Sequence, residues 1–269
     1  MDNKTIAIIG TGNLGQAIAE GIVEKGVCKA GQVILTKRDI SHLKGYLKKG
    51  YQVTSDNHLA VNEADIILLC VQPNQLTELL IEVNAKLTDH KMLVSVITGV
   101  SIQQIVQQIS IKIPIVRAMP NTAVAIGESM TCISSSDKEA LEVTKVLFNT
   151  LGRTLEIEED LMQAATVLGA SGIAFFMRYL RAATQGGVQM GFDSEDAQFI
   201  AMQTAKGAAS LVLENETHPE IEIDKVTTPM GCTIEGLNEM EHKGFSSALI
   251  QGIMTSFHRI TNMKKKNPR

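Results

Sequence analysis

Three glycines at fixed spacing, Gly10-Thr11-Gly12-Asn13-Leu14-Gly15, stand near the start of the chain. An apolar run, Ile6-Ala7-Ile8-Ile9, leads into them, and Leu14, Ala17, Ile18, Gly21 and Ile22 lead out at helical spacing. Strand before and helix after are the context that turns a bare GxGxxG into a dinucleotide fingerprint. Gly10 permits the tight turn, Gly12 lets the backbone approach a pyrophosphate, and Gly15 lets the helix lie close to the strand. The helix N-terminus offers N–H groups and a positive dipole end to the phosphates. A glycine-rich turn with no ligand would carry the same residues.

The end of the second strand selects the dinucleotide. An NAD site places a carboxylate there, about 20 residues on, to hold the ribose 2′-hydroxyl. Here Gln32-Val33-Ile34-Leu35 runs into Thr36-Lys37-Arg38. A hydroxyl and two cations replace the carboxylate, and an arginine fork suits a phosphate. The residues point to the 2′-phosphate of NADPH, with NADH still possible. As a bare pair, Lys37 and Arg38 would be ordinary solvated charges.

Ligands in open α/β sheets bind beyond the carboxyl ends of the strands. Asn57, Val71-Gln72-Pro73, Ser95 and Asn121 fall at such ends. Each alone reads as a turn; together they line one crevice. A second cluster, Val226-Thr227-Thr228-Pro229-Met230-Gly231-Cys232-Thr233, leads into a helix. Its hydroxyls and free N–H groups would seat a carboxylate, although Thr233 could equally be a plain helix cap. A third, Gly169-Ala170-Ser171-Gly172, interrupts a long apolar helix, either for close packing or to expose backbone to a ligand.

Acid–base machinery is sparse. No Ser/His/Asp grouping stands out, and His42, His58, His90, His218, His242 and His258 fall in loops or on polar faces. No lysine occurs between Arg153 and Lys206, which disfavours alcohol oxidation by a helix-borne lysine. Reduction of an imine fits better. A protonated C=N is already electrophilic, so positioning of a hydride donor does most of the work.

The elements that must position these residues are legible in the pattern. Strand-like runs at 6–9, 32–35, 51–54, 65–71, 92–97 and 113–117 alternate with helical stretches. Continuous apolar runs indicate strands covered on both faces, hence a parallel, doubly wound sheet. Two further strands, at 129–133 and 154–157, look more exposed. From Glu159 on the pattern is helical: a long helix over 160–188, then one over 194–213 opened by Ser194. A short one near Pro219, one from about Thr233 and one over 246–263 follow. The expected division is therefore 1–158, a dinucleotide-binding domain, and 159–269, an all-helical domain. The helical part is too apolar for its size to bury itself, which calls for a dimer interlocked through these helices.

Composition bounds the rest. The 269 residues carry a net charge of −4 and no tryptophan, which argues against a nucleic-acid partner. The apolar runs read as strand-length, too short to span a bilayer, and no charged-then-apolar leader opens the chain. Cys28, Cys70, Cys132 and Cys232 form no CxxC or Cys/His cluster, so no metal site is expected. Cys28 and Cys70 read as small buried groups in a reducing cytoplasm. Lys264-Lys265-Lys266 reads as a solvated tail.

At this point the sequence resembles the pyrroline-5-carboxylate reductase family. The resemblance rests on Gly10–Gly15, Val71-Gln72-Pro73, Arg117-Ala118-Met119-Pro120-Asn121-Thr122, Gly127, Gly169–Ala174, Gln203-Thr204 with Gly207, and Val226–Leu237. It implies a Rossmann-type N-terminal domain, a C-terminal all-helical dimerisation domain, and hydride transfer from NAD(P)H to pyrroline-5-carboxylate to give L-proline. Asn57 would approach the adenosine ribose, and Val71, Pro73, Ser95 and Asn121 would border the cofactor. Ser171 and Gly172 would face the substrate, with Thr228, Gly231, Cys232 and Thr233 cradling its carboxylate and ring. Thr233 would hydrogen-bond the imine nitrogen. The chain departs from the family pattern at Gln72, Ala123, Ile173, Phe175 and Met230. Two other readings stay open: a non-catalytic NADP-binding regulatory dimer, and a reductase of another cyclic imine.

Overall fold

The computed structural model describes residues 4–266, with side chains through residue 262. An eight-stranded sheet forms the frame: β1 Ile6–Ile9, β2 Val33–Thr36, β3 Gln52–Thr54, β4 Ile66–Leu69, β5 Met92–Ser95, β6 Ile115–Met119, β7 Ser129–Ser134 and β8 Gly152–Glu156. The strand order is β3-β2-β1-β4-β5-β6-β7-β8. All eight strands expected from the sequence are present. The helices between them are α1 Asn13–Glu24, α2 Lys44–Lys48, α3 Asn57–Glu63, α4 Leu76–Val83, α5 Ile102–Val106 and α6 Lys138–Asn149.

Alternation along the strands builds two cores from one sheet. Ile6 and Ile8 point to one face, where α1 and α6 supply Ile18, Ile22, Leu147 and Phe148. Ala7 and Ile9 point to the other, where α3, α4 and α5 supply Val61, Leu80 and Ile105. Strands covered on both faces need the near-continuous Ile/Leu/Val runs seen in β1 and β4.

The parallel sheet expected from the apolar runs is present in β1 to β6 and is interrupted only at the β6–β7 pair. β1 to β6 are parallel, but β7 runs antiparallel to β6, and β8 is parallel to β7. Only residues 120–128 join β6 to β7, too few for a crossover. β7 is also largely buried rather than exposed, because Cys132 packs with Met119 and Met162; β8 is the exposed edge.

Beyond β8 the described chain is helical: α7 Met162–Ala165, a π-helical stretch Thr166–Ser171, α8 Gly172–Gln189, α9 Ser194–Asn215, α10 Pro219–Val226, α11 Cys232–His242 and α12 Phe245–Lys266. Asp193, not Ser194, caps α9, accepting from the N–H groups of Glu195 and Asp196. The backbone of Lys264-Lys265-Lys266 continues α12, where a tail was expected; their side chains lie outside the described residues. By compactness the first unit runs through Ser171 and resumes at Phe257, and the second is Gly172–Ser256.

Within the second unit α8 and α9 pack closely. A Cβ on Gly187 would sit 2.8 Å from that of Ala197. Yet α8 buries only Thr184 and Gly187, and α9 only Ala197 and Ala205. Phe176, Met177, Phe199, Ile200, Leu211 and Leu213 stay exposed. The helical stretch Glu159–Gln189, mean hydropathy 1.3, is long and apolar enough to cross a membrane by length and composition. That corrects the reading of all apolar runs as strand-length.

Candidate active site

The three fingerprint glycines have three separate physical reasons. Gly10 adopts φ +94°, and a Cβ there would lie 2.8 Å from Val71 Cγ1 and 2.9 Å from the Cys70 carbonyl. A Cβ on Gly15 would meet the Gly10 carbonyl at 2.9 Å and Ile8 at 3.1 Å, which fixes the close helix-to-strand approach. Gly12 is the N-cap of α1, with no side-chain cap, and a Cβ there would meet nothing within 4 Å. The N-terminus of α1 is therefore open and uncapped, as a pyrophosphate requires.

Thr11 and Thr36 hold this turn together rather than reaching outward. Thr11 is buried; its N–H and hydroxyl both donate to the Thr36 carbonyl, at 2.9 and 3.0 Å. The Thr36 hydroxyl accepts from the Gly10 N–H at 3.4 Å. What projects past β2 is then Lys37, half-buried, and Arg38, exposed. Neither forms an ion pair among the described residues. An unpaired lysine and arginine beside an open helix N-terminus fit a dinucleotide with a 2′-phosphate.

Register brings the remaining crevice residues to one edge. Ile9 aligns with Thr36 and Leu69, Leu69 with Ser95, and Ser95 with Arg117, so the ends of β1, β2, β4, β5 and β6 are neighbours. Val71-Gln72-Pro73 follows β4 and opens a 3₁₀ turn. Ser95 is buried, and its hydroxyl accepts from the Ile97 N–H. Asn57 opens α3 and donates through Nδ2 to Glu82 at 3.1 Å. Burial pushes the Cys70 thiol up to about 12, which keeps it a neutral filler behind the glycine turn.

Asn121 is bonded on three sides. Its N–H donates to Ser129 Oγ, its Oδ1 accepts from the Ala123 N–H at 3.0 Å, and its Nδ2 donates to the Gly169 carbonyl at 3.1 Å. Gly169 and Ser171 lie in the π-helical stretch, a rare widening of the helix that recurs at functional sites. A Cβ on Gly169 would meet nothing within 4 Å, so close packing within the chain does not explain this glycine.

The turn before α11 is closed by the Gly231 N–H donating to the Thr228 carbonyl at 2.9 Å. Pro229 and Met230 occupy its middle, and Met230 adopts φ +60°. Proline second and positive φ third define a type II turn, whose third position favours glycine. Met230 is 98% exposed, so its side chain contributes almost no packing within the chain to offset that conformation. A Cβ on Gly231 would lie 2.5 Å from Thr228 Oγ1 and 3.0 Å from the Thr228 carbonyl oxygen, so a side chain there would force Thr228 to shift. Gly231 is the N-cap of α11 and Thr233 is the second helical residue, so Thr233 does not cap. The Thr228, Thr233 and Ser171 hydroxyls have no hydrogen-bond partner among the described residues.

One element escaped the sequence. Arg117, on buried β6, pairs with Glu159 at 3.0 Å, and the same Glu159 oxygen accepts from the Ile102 N–H at 2.8 Å. A cation inside an apolar strand run was the available signal, since buried charges are paired. Burial pulls the Arg117 guanidinium below its usual value, and Glu159 opposes that shift. All six histidines are exposed.

The chain is similar to known proteins. Residues 159–263 match the family described as pyrroline-5-carboxylate reductase dimerisation, and residues 5–99 match NADP oxidoreductase coenzyme F420-dependent. The chain is 49% identical to pyrroline-5-carboxylate reductase 1 of Dictyostelium discoideum, over 96% of this chain and 49% of the relative, so it spans about half the length of that protein. It is 46% identical to pyrroline-5-carboxylate reductase 2 of the same organism, over 95% of this chain and 91% of the relative. The solved Plasmodium falciparum pyrroline carboxylate reductase with NADP bound superposes with a TM-score of 0.89 at 23% identity, covering 98% of this chain and 99% of that one, a likeness of fold.

Proposed function

The chain belongs to the pyrroline-5-carboxylate reductase family, and on that premise we propose that it reduces the cyclic imine pyrroline-5-carboxylate to L-proline with NADPH. The observation that carries this is the uncapped α1 N-terminus at Gly12, open to a pyrophosphate, beside unpaired Lys37 and Arg38. The Gly10–Gly15 turn would hold the pyrophosphate. Lys37 and Arg38 would hold the 2′-phosphate, and Asn57, Val71, Gln72, Pro73 and Ser95 would border the remainder. When bound, NADPH would supply the hydride taken up at the C=N carbon, while a proton from water goes to nitrogen and the double bond becomes single.

The chain's own residues orient the imine. The first N–H groups of α11 have no intrahelical acceptors, and with Thr228 and Gly231 they seat the carboxylate. The Thr233 hydroxyl donates to the imine nitrogen. A free alcohol is far too weak an acid to protonate it outright, so Thr233 positions and polarises. Ser171, Gly172 and Cys232 are the further residues that the family resemblance assigns to the substrate. The domains divide at 158/159, and the exposed apolar faces of α8 and α9 are the surface that a homodimer buries. The long apolar helix is assigned to that interface rather than to a membrane. Free cysteines support a reducing, cytoplasmic setting, and the net charge of −4 argues against a nucleic-acid partner. Met230 is the observation that favours a different cyclic imine, because a non-glycine residue held at φ +60° alters the turn that would seat the carboxylate.

A panel of cyclic imines and 2-keto acids, read by loss of NADPH absorbance, tests the assignment. Pyrroline-5-carboxylate should be turned over fastest. Thr233→Ala should lose about 100-fold in kcat with NADPH affinity retained. Fast turnover of another imine only, or full activity in Thr233→Ala, overturns the substrate or the role.

A further inference from the structure

We infer that Asn121 is a positioning residue for the substrate side of the reaction, acting through the Gly169 carbonyl on Ser171; this rests on the reading that Ser171 faces the imino acid. The resemblance puts Asn121 against the cofactor. In the structure its carboxamide is engaged elsewhere: Oδ1 caps the turn at Ala123, and Nδ2 reaches 48 residues along the chain to Gly169. The carbonyl it holds is in the π-helical stretch. Inserting a residue into a helix leaves a carbonyl without its regular amide partner, so a side-chain donor is needed to fix it. At the other end of the same stretch the Thr166 hydroxyl donates to the Met162 carbonyl at 2.8 Å. The widened turn is thus held at both ends by side chains, and its last residue is Ser171, whose hydroxyl has no partner among the described residues. Gly169 has open space where a Cβ would be, and its φ does not demand glycine. The carbonyl is therefore pinned from the sheet side, and nothing packs where a Gly169 side chain would stand.

Asn121→Ser tests this, because serine retains the acceptor for the Ala123 N–H but cannot reach Gly169. Hydrogen exchange at Thr166–Ser171 should quicken in Asn121→Ser, and kcat/KM for pyrroline-5-carboxylate should fall about tenfold with NADPH affinity within about threefold. In a Ser171→Ala background the same substitution should cost little more, since both act through one hydroxyl. Asn121→Asp, isosteric with the wild type, should recover activity as pH falls and its carboxyl regains a proton to donate. Unchanged exchange, or kinetic effects of Asn121→Ser and Ser171→Ala that simply multiply, overturns the inference. Should Asn121→Ser not fold, the pH profile of Asn121→Asp decides: a flat profile overturns it. A wild type inactive toward pyrroline-5-carboxylate instead removes the substrate reading on which the inference stands.

Discussion

Lys37 and Arg38 stand at the end of β2 with no carboxylate paired to either among the described residues, and Thr36 beneath them is locked into the glycine turn. On the proposed function, selectivity between the two nicotinamide cofactors falls to these two side chains. Replacing both by alanine should raise KM for NADPH at least tenfold and leave KM for NADH nearly unchanged, measured by steady-state kinetics with each cofactor. Equal losses with both would place the pair outside the 2′-phosphate site. At the same scale Met230 shows what sequence alone leaves hidden. The letter marks a departure from the family pattern; only the backbone shows that it sits at φ +60°, at the third position of a type II turn.

Among the elements, β6 has the most varied duties. It carries Arg117 inward to Glu159 and leads, just past its end at Met119, to Asn121, so one strand ties the sheet to the start of the helical stretch. Glu159→Gln would retain an acceptor for Ile102 but strand the guanidinium. The loss should be about 2 kcal/mol once the 32% exposure of Glu159 is allowed for, read as a lower urea midpoint with an unchanged m-value. An unchanged midpoint would mean that water already solvates the guanidinium. The strands, the fingerprint turn and the edge they share were legible in the sequence, because unbroken apolar runs and glycine spacing are local signals. The reversal at β7, the Arg117–Glu159 pair and the π-helical stretch were not. The first follows from a nine-residue connection, the second from residues 42 apart, and the third from a helix whose periodicity hides one extra residue.

On the scale of the whole molecule, the sheet buries its own core while the helical part leaves Phe176, Phe199 and Leu213 outside, consistent with a dimerisation domain. The unit built around the sheet also carries groups that resist ionisation. Burial, helped by the charge of Glu20, pushes Tyr46 and Tyr51 up to about 12 from 10.0, and burial alone takes the Cys70 thiol to about 12 from 9.0. Groups whose pKa rises on folding stabilise the fold below their unfolded values and lose that contribution as pH climbs through the folded ones. Stability should accordingly fall between about pH 9 and pH 12, with Tyr46 and Tyr51 ionising only as the sheet unfolds, followed by tyrosinate absorbance. Ionisation of both near 10 in a folded protein would contradict the burial.

The most direct test of the central claim is isotopic. The protein would be given pyrroline-5-carboxylate and NADPH dideuterated at the reactive nicotinamide carbon, and the product weighed by mass spectrometry. The expected product is proline one mass unit heavier, with the deuterium on the former C=N carbon. Unlabelled proline, or no proline from a folded and NADPH-binding protein, would contradict it.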